Sequence, residues 1–164
     1  MKAVRPNKSI EDPLDAEEKA KYESLLGPPP APPGPAASPQ GLVAEYDPRR
    51  RAMLAQMLKS WDMEVVEAAS GTEALKALAT KRVDMVLVDL KLPGHDGYEV
   101  IRGARSYLKL RDTVFIVLAD AADPKDETTA LNLGADVFFP KPTLPDLLQA
   151  RIKPLVRRMY DRLV

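Results

Sequence analysis

The sequence predicts an α/β domain in which helices cover both faces of a parallel sheet, and three observations carry that prediction. From Leu42 onward, short apolar runs alternate five times with stretches of helical periodicity. Right-handed crossovers wind such a chain into a parallel sheet. The run Met85-Val86-Leu87-Val88 lacks polar alternation, as a strand buried on both faces does. Charged residues follow the strands at one edge, the carboxyl edge where open α/β sheets gather their chemistry.

Leu42-Val43-Ala44 is the first strand and runs out into Glu45-Tyr46-Asp47. Pro48 suits the first turn of a helix whose apolar residues Ala52, Met53, Leu54, Met57 and Leu58 recur at helical spacing. Met63 to Glu67 alternates as a second strand, and Ser70-Gly71-Thr72-Glu73 opens a second helix that buries Ala74, Leu75, Leu78 and Ala79. The third strand ends at Asp89, after which Pro93-Gly94 and Asp96-Gly97 turn the chain. A third helix spans Tyr98 to Leu110 with Val100, Ile101, Ala104 and Leu108 inward. The fourth strand is Thr113 to Leu118, the fourth helix Lys125 to Leu133, and the fifth strand Val137-Phe138-Phe139. A fifth helix starts at Leu144, and Pro154 inside it predicts a bend or break near Ile152.

Ahead of this domain, taken as residues 41–164, lies an arm over residues 1–40 that holds nine of the 16 prolines. Residues 28–39 read as a polyproline-II spacer, since proline lacks the amide donor and fixes φ. Before it, residues 15–26 form a short helix, with Asp15 as N-cap, Glu17 and Glu18 at its positive end and Gly27 closing it. Its apolar set (Ala20, Tyr22, Leu25, Leu26) is too thin to fold alone, so the arm is expected to be flexible, or to fold as a docking motif on a partner.

Composition removes several classes of function. The 164 residues are 45% hydrophobic, enough for a packed core, and carry 24 basic and 24 acidic side chains. That balance gives no global field for nucleic acid or anionic lipid. Without cysteine there is no disulfide scaffold, thiolate zinc site or Cys nucleophile. No apolar run reaches membrane-spanning length and the first residues lack a signal-peptide core, so a cytoplasmic protein is expected, with neither nucleic-acid binding nor membrane insertion. His95 reads as a solvated turn residue, and Arg49-Arg50-Arg51 as a solvated helix face.

The carboxyl edge collects Glu45 and Asp47 after strand one, Asp89 after strand three, Ala119 and Asp120 after strand four, and Lys141 after strand five. Carboxylates with a backbone carbonyl and waters make a Mg²⁺ site, and a lysine beside them neutralises a phosphoryl oxygen. An aspartate held there is able to attack a phosphoryl donor in line.

Four segments at matching spacing make residues 42–160 resemble the receiver domains of two-component response regulators. They are Glu45-Tyr46-Asp47-Pro48-Arg49-Arg50-Arg51, Val88-Asp89-Leu90-Lys91-Leu92-Pro93-Gly94-His95-Asp96-Gly97, Leu133-Gly134-Ala135-Asp136, and Phe139-Pro140-Lys141-Pro142. The resemblance implies a flavodoxin-like (βα)5 fold with strand order 2-1-3-4-5. It implies Asp89 as phosphoacceptor, the Lys91 backbone carbonyl as a Mg²⁺ ligand, Lys141 as the phosphoryl-sensing lysine and Phe138 as the aromatic switch.

Two positions depart from the family pattern. Tyr46 stands where the directly ligating acidic residue is expected, which leaves Glu45, Asp47 and Asp89 for a weakened Mg²⁺ site. Ala119 replaces the Ser or Thr that hydrogen-bonds the phosphoryl oxygen. The expected function is therefore a pseudo-receiver, phosphorylated weakly or not at all and without an attached output domain. It would act as a protein–protein adaptor through the face of the fourth helix, fifth strand and fifth helix. Asp123, Lys125, Asp126 and Asp136 offer charge there, and the arm offers a second contact. The alternative is a single-domain switch phosphorylated on Asp89 by a sensor histidine kinase, with self-catalysed phosphorylation and dephosphorylation as its only chemistry. A flavin carrier ranks below both, because Glu45-Tyr46-Asp47-Pro48 would repel a phosphate where such a carrier needs a glycine- and hydroxyl-rich loop.

Overall fold

The apolar runs become five parallel strands in the computed structural model, which describes residues 8–30, 38–120, 123–141 and 145–163. The strands are β1 (Gln40–Ala44), β2 (Glu64–Ala68), β3 (Met85–Asp89), β4 (Val114–Asp120) and β5 (Val137–Lys141). The helices are α1 (Ala16–Leu26), α2 (Pro48–Lys59), α3 (Gly71–Thr80), α4 (Gly97–Arg102, continued by a π-turn over Gly103–Tyr107), α5 (Pro124–Leu133) and α6 (Pro145–Leu163). Sheet order is β2-β1-β3-β4-β5, with every pairing parallel. This is the expected flavodoxin-like topology. β4 and β5 run two residues further than expected, so Ala119, Asp120 and Lys141 lie within strands. Pro142 and Leu144 fall outside the described residues, as do the spacer positions 31–37.

Side chains that alternate along each strand split the core in two. Leu42, Ala44, Val86, Val88, Phe115, Val117 and Phe138 pack toward α3, α4 and α5. Val43, Met85, Leu87, Ile116, Leu118 and Phe139 pack toward α2 and α6. β3 is buried along its whole length, and this places Asp89 at the centre of the carboxyl edge.

The structure differs from the expected flexible arm over residues 8–26, where α1 is docked on the domain. Tyr22 is fully buried, donates its hydroxyl to Glu99 O at 2.7 Å and stacks on Tyr107 with ring centroids 5.8 Å apart. Leu14, Leu25 and Leu26 pack beside it. A capping box between Asp15 and Glu18 closes the amino end of α1. The apolar set is too thin for an isolated helix, and the domain supplies the missing surface.

Two further expectations are corrected. The third helix stops short of Leu110 and ends in a π-turn, with Leu108 N–H donating to Gly103 O at 2.9 Å. That wider turn lies where Arg102, Arg105, Ser106 and Tyr107 are all buried. Of the bend or break expected near Ile152, the break does not occur: the last helix is continuous through Pro154. The proline is exposed, so the lost amide bond lies on the water side, while Leu148, Ile152, Val156 and Met159 hold the opposite face on the core. An interior proline costs about 3 kcal/mol, and four buried side chains at roughly 1.5–3 kcal/mol each offset it.

Burial pushes the Glu18 carboxyl up, but the Arg102 and Asp15 N–H donors and the Lys8 charge more than reverse this, so it ends below its ordinary value of 4.5. A carboxyl depressed on folding contributes stability above its unfolded pKa and loses it as pH falls through the folded value. Proteolysis within the arm is therefore expected to accelerate as pH falls below the ordinary carboxyl value of 4.5. The Glu18→Gln variant should flatten that dependence, and an unchanged acid profile would contradict the assignment.

Candidate functional site

β3 ends at Asp89 and β1 runs out at Glu45, and parallel pairing of the two strands brings both carboxylates to one edge. Both are buried, Asp89 to 7% exposure and Glu45 to 3%. Lys141 closes β5 and reaches across, with Nζ 2.6 Å from Asp89 Oδ2 and 3.0 Å from Glu45 Oε1. Arg50, from the first turn of α2, places Nη1 3.4 Å from Glu45 Oε1. The remaining oxygens are also engaged: Asp89 Oδ1 accepts from Lys91 N–H at 3.1 Å, and Glu45 Oε2 from Asp47 N–H at 3.2 Å. Two buried carboxylates are thus neutralised by two cations and completed by backbone donors, as low-dielectric surroundings require.

Asp47 lies beside this cluster but faces its own helix. It caps α2, with Oδ1 accepting from Arg49 N–H at 2.9 Å and Arg50 N–H at 3.4 Å, and Oδ2 lies 3.7 Å from Arg50 Nη2. Those two amide bonds, before any charge effect, hold its carboxyl below the usual carboxylate range. Tyr46 is 64% exposed and projects into water. Among the described residues no group of three or more carboxylates and histidines is placed to hold a metal. The donor set fits Mg²⁺ in part, through Asp89 and Glu45, oxygen ligands of the kind that ion takes.

Ala119 is buried in β4 beside Pro140, and its methyl offers no hydrogen bond to the edge. Phe138 is buried on the α5 side of the sheet, opposite Val117. The Lys91 side chain is exposed, 3.6 Å from Asp120. The loop after Asp89 is tied back by Gly97, where an added Cβ would come within 2.5 Å of Asp89 O. Only glycine allows that approach, which accounts for the Asp96-Gly97 pair so soon after the aspartate.

Several side chains read as solvated in the sequence are engaged. His95 is buried to 7% exposure, its Nδ1 2.9 Å from Thr72 Oγ1, and burial holds its pKa below the ordinary value. Arg50 and Arg51 serve the site, the latter donating to Glu45 O at 3.0 Å and facing Glu67 at 3.6 Å. Of the charges expected to face partners, Asp123 caps α5, Asp126 accepts from Tyr98 OH at 2.7 Å, and Asp136 pairs with the buried Arg105 at 2.9 Å. Lys125 stays exposed on α5.

Comparison with known proteins gives a consistent result. Residues 42–153 match the family model of the response regulator receiver domain. A probable transcriptional regulator ycf27 of Cyanidium caldarium is 35% identical over 121 residues, which cover 74% of this chain and 47% of that protein. The transcriptional regulatory protein AfsQ1 of Streptomyces coelicolor is 37% identical over 120 residues, 73% of this chain and 52% of its own. The chain thus spans about half the length of the curated relatives it matches. Among solved structures, a CheY-like receiver domain protein from Methanospirillum hungatei superposes with TM-score 0.68 at 27% identity, covering 77% of this chain and 99% of that one. The receiver domain of a sensor histidine kinase from Pseudomonas aeruginosa, with magnesium coordinated in its active-site cleft, has TM-score 0.64 at 27% identity, covering 74% and 97%.

Proposed function

This chain belongs to the response-regulator receiver family, and we propose that it is a receiver of weak or absent phosphorylation whose output is protein–protein contact. Receivers serve two-component signalling as modules that are generally not enzymes, and their active sites take Mg²⁺. One observation carries the finer reading: Lys141 and Arg50 already neutralise Asp89 and Glu45 where a metal would otherwise do so. A bound Mg²⁺ would supply charge neutralisation for phosphoryl oxygens. Asp89, Glu45 and the Lys91 carbonyl are the groups left to hold it, since Tyr46 carries no carboxylate and Asp47 caps a helix. Ala119 brings no hydroxyl to a phosphoryl group, which weakens the link to Phe138. The partner face in this reading is α5, β5 and α6, where Leu131 is 42% exposed and Lys125 is free of the core. Among the described residues no helix is long and apolar enough to cross a membrane, in keeping with a cytoplasmic setting.

A second reading keeps Asp89 as a working phosphoacceptor served by a sensor histidine kinase. Asp89 ends the fully buried central strand β3 and so stands at the middle of the carboxyl edge, which favours this reading, because an in-line phosphoacceptor has to stand there.

A small phosphodonor such as acetyl phosphate, with Mg²⁺ and intact-mass detection, separates the two readings. The wild-type chain is expected to stay largely unmodified. Tyr46→Asp should tighten Mg²⁺ binding by about tenfold, because it adds a carboxylate to the donor set. Rapid, complete modification of the wild-type chain would overturn the first reading. An unmoved Mg²⁺ affinity in the variant would show that position 46 is not the missing ligand.

A further inference from the structure

The strongest unexplained feature lies away from the carboxyl edge, where a fully buried arginine is satisfied almost wholly by the arm. Arg102 Nη1 donates to Ser9 O and Asp12 O, both at 2.9 Å, and to Ser106 Oγ at 3.2 Å. Its Nη2 donates to Pro13 O at 3.1 Å and Glu18 Oε1 at 3.4 Å, and its Nε to Glu18 Oε2 at 3.0 Å. Three backbone carbonyls converge on one guanidinium only when the chain before α1 is turned, so Arg102 reads a folded segment and its cap together. Tyr22 fills the adjoining hole. An added Cβ at Gly103 would come within 2.6 Å of the Tyr22 ring and 2.8 Å of Leu75, so the hole exists because residue 103 is glycine. At the far end the Tyr107 hydroxyl donates to Gly27 O.

The same segment touches α5. Ile10 N–H donates to Asn132 O at 2.6 Å, and Ile10 Cδ1 lies 3.1 Å from where a Cβ on Gly134 would stand. α5 buries only Thr129, Ala130 and Leu133, so it has little apolar anchorage of its own. Its first turn is pinned to α4 by Tyr98 OH to Asp126 at 2.7 Å, and its last turn is pinned by the arm.

We propose that the face of α3, α4 and α5 is a segment-binding surface, that residues 9–27 of this chain are its occupant, and that the seated segment holds α5 in place. A guanidinium donating to three turn carbonyls, a carboxylate cap and an aromatic knob are the recognition elements. The surface stands apart from any phosphorylation of Asp89, so failure of one idea leaves the other untouched.

Amide hydrogen exchange on the full chain tests this with two variants. In Tyr22→Ala, exchange over residues 9–26 and over α5 is expected to rise together, and by about tenfold or more beyond the rise in β1 and β3 that the global loss of stability brings. Ile10→Pro removes one N–H at the second position of a turn, a place where proline is favoured. It should raise exchange in the last turn of α5 while α1 stays protected, and it decides the matter if Tyr22→Ala loses protection throughout. Wild-type residues 9–26 exchanging like an unstructured peptide would overturn the binding surface. Unchanged α5 exchange in Ile10→Pro would overturn the coupling.

Discussion

Replacing Lys141 with methionine is expected to cost about 3 kcal/mol of stability, because it strips a cation from two buried carboxylates at once. Asp89 and Glu45 are 7% and 3% exposed, and Lys141 bonds both. Arg50 still faces Glu45 at 3.4 Å in the variant, so the larger share of the loss falls on Asp89. Adding Asp89→Asn to Lys141→Met should recover most of it, since a buried amide is far cheaper to leave beside an apolar chain than a carboxylate. Urea midpoints of the two variants check this. A Lys141→Met chain within about 0.5 kcal/mol of wild type would mean that the backbone donors and Arg50 suffice, and the cationic closure of the site would lose its energetic basis.

Tyr22→Ala is the second large effect, at about 4 kcal/mol, the usual cost of deleting a buried aromatic ring whose hole cannot collapse. The hole is rigid here because Leu75, Gly103 and Tyr107 are held by α3 and the π-turn. Tyr22→Phe should cost only about 1 kcal/mol, the hydroxyl's bond to Glu99 O. If removing the ring changed the thermal midpoint no more than removing the hydroxyl, α1 would be a surface ornament rather than part of the folded unit.

The strands and their parallel arrangement follow from patterns that need no tertiary information, and their order follows from the family resemblance. Five apolar runs, a carboxyl edge and a run of glycines and prolines after Asp89 suffice to place Glu45, Asp89 and Lys141 near one another, and the structure brings those three together. What escaped is instructive in each case. Arg50 sits in a run of three arginines at the start of α2, and only the folded structure shows Arg50 on the Glu45 carboxylate and Arg51 on its backbone carbonyl. Asp47 has the composition of a metal ligand and of a helix cap, and the amides of Arg49 and Arg50 decide for the cap.

Other misses share a cause, since the signal lies in a contact between distant segments. His95 stands in a polar turn, and its burial depends on α3 lying across that turn, where Thr72 bonds it. The arm looks too poor in apolar residues to fold, which is correct for the arm alone. The hole that receives Tyr22 is made by Leu75 and Gly103, some fifty and eighty positions later. Arg102 carries no local signal at all, because an arginine among apolar helix residues reads as a solvent-facing position until Ser9, Asp12 and Pro13 are seen to supply its acceptors.

The most direct test of a carboxylate site closed by its own cations is amide NMR of the full chain, titrated with Mg²⁺ and then with beryllofluoride as a phosphoryl mimic. The cationic closure predicts a nearly silent spectrum, with small shifts confined to Asp89 and its immediate neighbours. Saturable shifts at Asp89, Lys141 and Phe138 that spread into α5 would contradict it and identify a working phosphorylation switch.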